Sequence, residues 1–138
     1  MTFTESIYTC FSKYATFSGR ASRPEYWWFA LFLYAGSLAL RIAFGFNASG
    51  PSTLQIVFGL GTLLPGLAVA VRRLHDTNRS GAYLFIGLIP IVGIFVILWM
   101  LTNPGSPGPN TYGETPDYPI NDLDTDPTTD PSDPQPYR

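Results

Sequence analysis

Two short stretches hold most of the chemistry in this sequence. FSGRASRPEYWW covers residues 17–28, and RRLHDTNRSG covers residues 72–81. Together they offer Arg20, Arg23, Arg72, Arg73 and Arg79, with Glu25, His75 and Asp76 among them. A guanidinium is a planar fork of donors that matches phosphate oxygens. Arginines gathered at one level therefore read as candidate contacts for anionic lipid headgroups or a phosphorylated ligand. A plainer role is open too: fixing orientation and neutralising lipid phosphates without a specific site. Glu25 is placed to cap a helix and to pair with an arginine of the second stretch. His75 beside Asp76 supplies the parts of a pH sensor or proton relay, although such a lone pair is more often hydrogen-bonded structure. Asp76, Asn78 and Ser80 are also good turn and N-cap residues.

Other chemistries are poorly supplied. Cys10 and His75 could act as nucleophile and base, but no oxyanion donor or third member accompanies them. One cysteine and one histidine cannot fill a zinc site or close an internal disulfide. GLGTLLPG, residues 59–66, lacks the lysine and strand context of a phosphate loop. The sequence predicts no catalytic residues, no cofactor and no metal.

The elements that must position these residues are three apolar blocks: 27–46, 54–71 and 82–101. Roughly 20 helical residues rise about 30 Å, the thickness of a bilayer's hydrocarbon core. Asp, Glu and Lys are absent from all three blocks. They are apolar on every side, unlike a soluble helix with one wet face, and 138 residues could not hide three such helices from water. The reading is an all-α membrane protein with three transmembrane helices. Pro65 and Pro90 each remove a backbone donor and favour a kink. Gly59, Gly61, Gly66, Gly87 and Gly93 permit close helix approach, and Ala35, Ala39 and Ala43 form a small-residue ridge. Arg41 is the one charge within a block, near enough to its end to snorkel.

Phe3, Ile7, Phe11 and Tyr14 recur at helical spacing, so residues 3–16 read as a short amphipathic helix in the membrane interface. Thr2 with Glu5, and Ser22 with Glu25, match the capping box. Tyr26, Trp27 and Trp28 suit the headgroup level. No cleavable signal peptide is expected in the first 26 residues. Residues 102–113, TNPGSPGPNTYG, are turn formers and close a membrane domain of residues 1–113. Residues 114–138 are rich in Asp, Pro and Thr and read as a disordered tail.

Charge is split along the chain. Residues 1–103 hold seven Lys/Arg and three Asp/Glu, whereas 104–138 hold one Arg and seven Asp/Glu. Lys13, Arg20 and Arg23 precede the first block, and Arg72, Arg73 and Arg79 follow the second. The positive-inside rule puts the N-terminus and the 72–81 loop in the cytoplasm. Three spans then put the tail outside; a re-entrant second or third block would return it to the cytoplasm.

The two basic stretches, with Gly105, Gly108, Asn110, Tyr112 and Gly113 in a G-x-x-G-x-N-x-Y-G pattern, resemble the domain of unknown function 805 (DUF805) family of small bacterial inner-membrane proteins. The resemblance covers roughly residues 3–117. Pro24 departs from the polar residue expected there but is tolerated early in a helix, and the acidic extension lies outside the family core. The resemblance implies a fold and a location in the bacterial inner membrane. It supplies no catalytic residues, because the family lacks an assigned activity. The expected function is a non-enzymatic scaffold or accessory subunit that meets anionic membrane lipids and forms a homo-oligomer or joins another membrane protein. The alternative is a transporter or channel component acting as an oligomer and drawing on Arg41 and the proline kinks. An enzyme on lipid headgroups, with His75 or Asp76 as base, ranks third. Nucleic acid is disfavoured: the basic residues sit against the membrane and the tail is acidic.

Overall fold

The computed structural model describes residues 1–44 and 51–116. Every regular element among them is helical. The order is α1 (Phe3–Ser12), α2 (Arg23–Phe44), α3 (Thr53–Asp76), a 3₁₀ helix (Gly81–Leu88) and α4 (Val92–Thr102). The last two residues of the expected first span and the acidic tail from 117 onward lie outside the described residues.

The 22 residues of α2 rise about 33 Å and the 24 of α3 about 36 Å. Both are long and apolar enough to cross a bilayer. Arg41 falls in the last turn of α2. The Ala35, Ala39 and Ala43 ridge is exposed.

Of the three expected transmembrane helices, two have spanning length; the third apolar block forms no single helix of that length. It divides into the 3₁₀ helix and α4, joined by a reversal at residues 89–91. Pro90 has no N–H to continue a helix, and Ile91, at φ 64° and ψ -69°, is the centre of a γ-turn in which Val92 N–H donates to Pro90 O at 2.7 Å. At Gly93 an added Cβ would lie 1.9 Å from the Ile86 carbonyl oxygen, so only glycine lets the two arms approach. The eight residues of one arm rise about 16 Å and the eleven of the other about 17 Å. Each is about half the length a span needs, and the pair makes a hairpin. Residues 102–113 therefore return to the end of the bundle where α2 begins and α3 stops.

The N-terminal helix ends sooner than the spacing predicts, at Ser12 rather than 16. Its capping box forms in both directions: Glu5 N–H donates to Thr2 Oγ1 at 3.3 Å, and Thr2 N–H donates to Glu5 Oε2 at 2.7 Å. Its fully buried residues are Ser6 and Cys10, one turn apart. Ser6 Oγ donates to the Glu25 carbonyl at 2.6 Å. The aromatic stripe meets α2 edge-on through Phe3–Trp28, Phe11–Phe29 and Phe11–Phe32. α1 is thus docked onto α2 as part of the bundle, around a core of Cys10, Ala21, Phe29 and Val69.

A further bond anchors the residues just after α1. Pro65 lies inside α3, so the carbonyl of Gly61, one turn earlier, has no helical donor. Tyr14 fills the vacancy: its hydroxyl donates to Gly61 O at 2.6 Å. In lipid no water is present to take that carbonyl instead.

A buried arginine–carboxylate clamp at one end of the bundle

α3 runs past its apolar stretch to Asp76. Arg72, Arg73, His75 and Asp76 are therefore the last turns of a helix, and not a loop, as residues 72–81 were expected to be. A rigid helix end can aim side chains in fixed directions, and two faces are used. One carries Arg72 and Arg73 into the bundle, 1% and 0% exposed. Asp76 follows Arg73 at the i+3 spacing that brings side chains together on a helix.

Asp76 sits between two guanidiniums. Arg20 reaches its Oδ1 through Nε at 2.9 Å and Nη2 at 2.8 Å. Arg73 Nη1 pairs with Oδ2. On the other side, Arg72 Nη1 meets Glu25 Oε1 at 2.5 Å. Glu25 also receives the cap, its N–H donating to Ser22 Oγ at 3.2 Å. Its carboxylate has turned from the capping box to the arginine.

The remaining donors of Arg20 and Arg73 go to main-chain carbonyls. Arg73 Nε donates to Leu101 O at 3.0 Å, Nη1 to Ala21 O at 3.4 Å, and Nη2 to Asn103 O. Leu101 and Asn103 close α4, whose final carbonyls have no helical donors. A cation at that end also suits the helix dipole. Arg20 donates to Gly108 O at 2.6 Å and Ser106 O at 2.7 Å. Two arginines thus tie together the 20–23 entry to α2, the end of α3 and the segment leaving the hairpin.

That segment caps α3 in return. Ser106 donates to Asp76 O through both N–H (2.7 Å) and Oγ (2.9 Å). Asn110 Nδ2 donates to His75 O at 2.8 Å. The ring of Tyr112 stacks on His75 with centroids 3.9 Å apart and planes 5° from parallel. His75 Nδ1 lies 3.1 Å from Gly19 O. Gly105 passes so close that an added Cβ would be 2.2 Å from Asp76 Oδ2. Each of these residues has a contact reason for its type.

The arginines expected at the lipid surface therefore divide. Arg20, Arg72 and Arg73 are buried, their forks turned to carboxylates and carbonyls, which corrects the expectation that they face lipid headgroups. Arg23 is exposed, and its Nε lies 3.3 Å from Asn103 O. Arg79 is half-buried, its guanidinium carbon 5.4 Å from the Trp99 ring centre. Glu25, His75 and Asp76 do not form one polar cluster: Glu25 serves Arg72, Asp76 serves Arg20 and Arg73, and His75 packs under Tyr112.

Among the described residues the buried cluster holds three cations, Arg20, Arg72 and Arg73, and two carboxylates, Glu25 and Asp76. Arg72 Nε and Nη2 have no hydrogen-bond partner among the described residues. Cys10 is close to this guanidinium; burial, and then the charge of Glu25, push its thiol up to about 12. A thiol so placed is a poor nucleophile at neutral pH. Among the described residues no group of acidic, cysteine or histidine side chains is arranged to hold a metal ion.

Sequence reasoning missed Tyr14, Ala21 and Ser106 as members of this architecture. Ala21 contributes main-chain groups, which leave no mark in a residue type, and the Ser106 hydroxyl meets a carbonyl 30 residues away that no local pattern marks. The Pro65 four residues after Gly61 was the available signal for a missing donor, but nothing local pointed to Tyr14.

A family model described as "Protein of unknown function (DUF805)" matches residues 14–114, a range that holds both arms of the clamp and the capping segment. The chain belongs to the DUF805 family. It is 40% identical over 107 residues to "Inner membrane protein YhaI" of Escherichia coli (strain K12), covering 77% of this chain and 90% of that one. "Inner membrane protein YhaH" of the same strain is 37% identical over 108 residues, covering 75% and 89%. "Uncharacterized protein YiiR" is 38% identical over 91 residues, or 62% of this chain and 53% of the relative. No solved structure matches the chain. With two helices of spanning length, this DUF805 chain is a membrane protein.

Proposed function

We propose that the chain is a non-enzymatic scaffold or accessory subunit of the bacterial inner membrane that engages anionic lipid headgroups at one end of its bundle. The observation that carries this reading is the division of the arginines. Arg20, Arg72 and Arg73 spend their charge inside the clamp, while Arg23 stays exposed at its rim and Arg79 lies over Trp99, which is 60% exposed. The rim offers cations and amphipathic aromatic rings together, the combination suited to the headgroup region. The groups an enzyme would need are otherwise engaged: Cys10 is buried, Asp76 is shared by two arginines, and His75 is covered by Tyr112. The concentration of Lys and Arg at this end supports a cytoplasmic placement for it. The hairpin brings residues 102–113 to that same side, which gives the acidic segment a cytoplasmic exit.

The test is tryptophan quenching by brominated phosphatidylglycerol against brominated phosphatidylcholine in reconstituted vesicles. The wild type should prefer phosphatidylglycerol, and Arg23→Gln with Arg79→Gln should erase the preference. Equal quenching by both lipids in the wild type refutes the headgroup role.

A transporter component acting as an oligomer has one observation in its favour. An open groove of about 370 Å³ runs between α2 and α3, lined by Ser37, Gly59, Thr62 and Gly66 among others. Solute flux in vesicles separates this reading from the first.

A further inference from the structure

We propose that the acidic segment 117–138 competes with anionic lipid headgroups for Arg23 and Arg79, and so sets how strongly this face holds anionic lipid. The inference rests on the lipid reading above and goes beyond it by naming a competitor within the chain.

The first support is position. The three-span reading would have sent the acidic segment to the opposite side of the bilayer from the basic rim. The hairpin instead brings the chain back to the rim. Gly113 O lies 3.4 Å from Arg20 Nη1, Asn110 is bonded to the end of α3, and Tyr112 is stacked on His75. The chain thus leaves Pro116 from the clamp itself, with Asp117 the next residue.

The second support is length and charge. The 22 residues after Pro116 can reach at most about 75 Å, so the rim is well within range. They carry six Asp and one Arg, a formal charge of -5. Residues 1–116 carry seven Lys/Arg and four Asp/Glu, a formal charge of +3. Inside the clamp the three arginines are already bonded to carboxylates and carbonyls. At the rim Arg23 is exposed and Arg79 half-buried beside Trp99, and neither has a carboxylate partner among the described residues. A tethered ligand acts at an effective concentration in the millimolar range, enough to oppose surface lipid at two rim cations.

The occupants compete for the same electrostatic attraction. A cation near an anionic leaflet gains about a factor of five in association, and this falls away within a Debye length of about 8 Å. Partial screening of two such cations by the tethered aspartates should lower the preference for anionic lipid on the order of threefold. The effect should vanish at high salt.

Trp27, Trp28 and Trp99 are all exposed at this end of the bundle, so intrinsic fluorescence reports the test directly. The full chain, a chain ending at Pro116, and a full-length chain with all six Asp of 117–138 changed to Asn are each placed in vesicles. Quenching by brominated phosphatidylglycerol is compared with quenching by brominated phosphatidylcholine, at low salt and at about 0.5 M salt. Both altered chains should prefer phosphatidylglycerol about threefold more than the full chain does at low salt, with the difference gone at high salt. The Asp→Asn chain keeps the length, so agreement between the two removes bulk and misfolding as explanations. If all three chains show one and the same preference for phosphatidylglycerol, the competition is refuted while the lipid reading stands. If truncation weakens the preference, the competition is refuted as well. If no chain distinguishes the two lipids, the lipid reading fails and this inference falls with it.

Discussion

The bond between Tyr14 and Gly61 makes a quantitative prediction, because its reason for existing can be removed independently. Pro65 deprives the Gly61 carbonyl of its helical donor, and the Tyr14 hydroxyl replaces that donor at 2.6 Å. Tyr14→Phe keeps the ring and its stacking on Phe11 but strands the carbonyl. Leaving one such acceptor unmade costs about 1–3 kcal/mol, and hydrogen bonds measured between membrane helices cluster at the lower end, about 0.6 with a maximum near 1.7. The expected loss is therefore about 1 kcal/mol. In a Pro65→Ala background residue 65 regains its N–H and can serve Gly61 itself. Tyr14→Phe should then cost little, roughly 0.3 kcal/mol, leaving a coupling of about 0.7 kcal/mol in a double-mutant cycle. Reversible unfolding in mixed detergent with rising SDS, followed by tryptophan fluorescence, supplies the four free energies. Equal costs for Tyr14→Phe in the two backgrounds would show that the hydroxyl is not standing in for the missing helical donor.

Three further outcomes follow from the clamp and its surroundings. Asp76→Asn strips the carboxylate that, among the described residues, is bonded to both Arg20 and Arg73 and should cost about 3–5 kcal/mol, read as a lower SDS midpoint; a change under 1 kcal/mol would mean the two guanidiniums do not depend on it. Cys10 should resist N-ethylmaleimide at pH 7 in mild detergent and react once SDS unfolds the chain. Because its folded pKa is raised from about 9 to about 12, its contribution is neutral below pH 9, and stability falls as pH rises from 9 towards 12, where only the unfolded thiol ionises; Cys10→Ser should remove that part of the alkaline loss. In a Cys10→Ser background, cysteines placed at Thr4 and Thr115 should be labelled by an impermeant maleimide from the same side of the vesicle, and labelling from opposite sides would overturn the hairpin.

Much of this was legible in the residues. The apolar blocks 27–46 and 54–71 mark helices because each is long, uncharged at Asp, Glu and Lys, and apolar all round. Thr2 with Glu5 announced an N-cap that forms in both directions, a contact confined to four residues. The two basic stretches were recognisable as a set, and Glu25 as a partner for an arginine. Their burial was not legible. Arginine on a bilayer rim and arginine in a clamp read the same in one dimension; the difference is set by whether carboxylates and free helix-end carbonyls arrive from elsewhere in the chain.

The sequence by itself determined composition-driven properties: helical elements, a membrane environment, and basic residues gathered at one end. Hydrophobicity reports the solvent around a segment but not the path through it, so block 82–101 was equally compatible with crossing and with turning back. Only the tertiary structure decided between them. Pro90 and Gly93 allow the reversal, and Arg73 holds it by bonding the carbonyls at the end of α4 from a helix 28 residues earlier. That bond joins distant segments, and no local pattern encodes a partner so far along the chain.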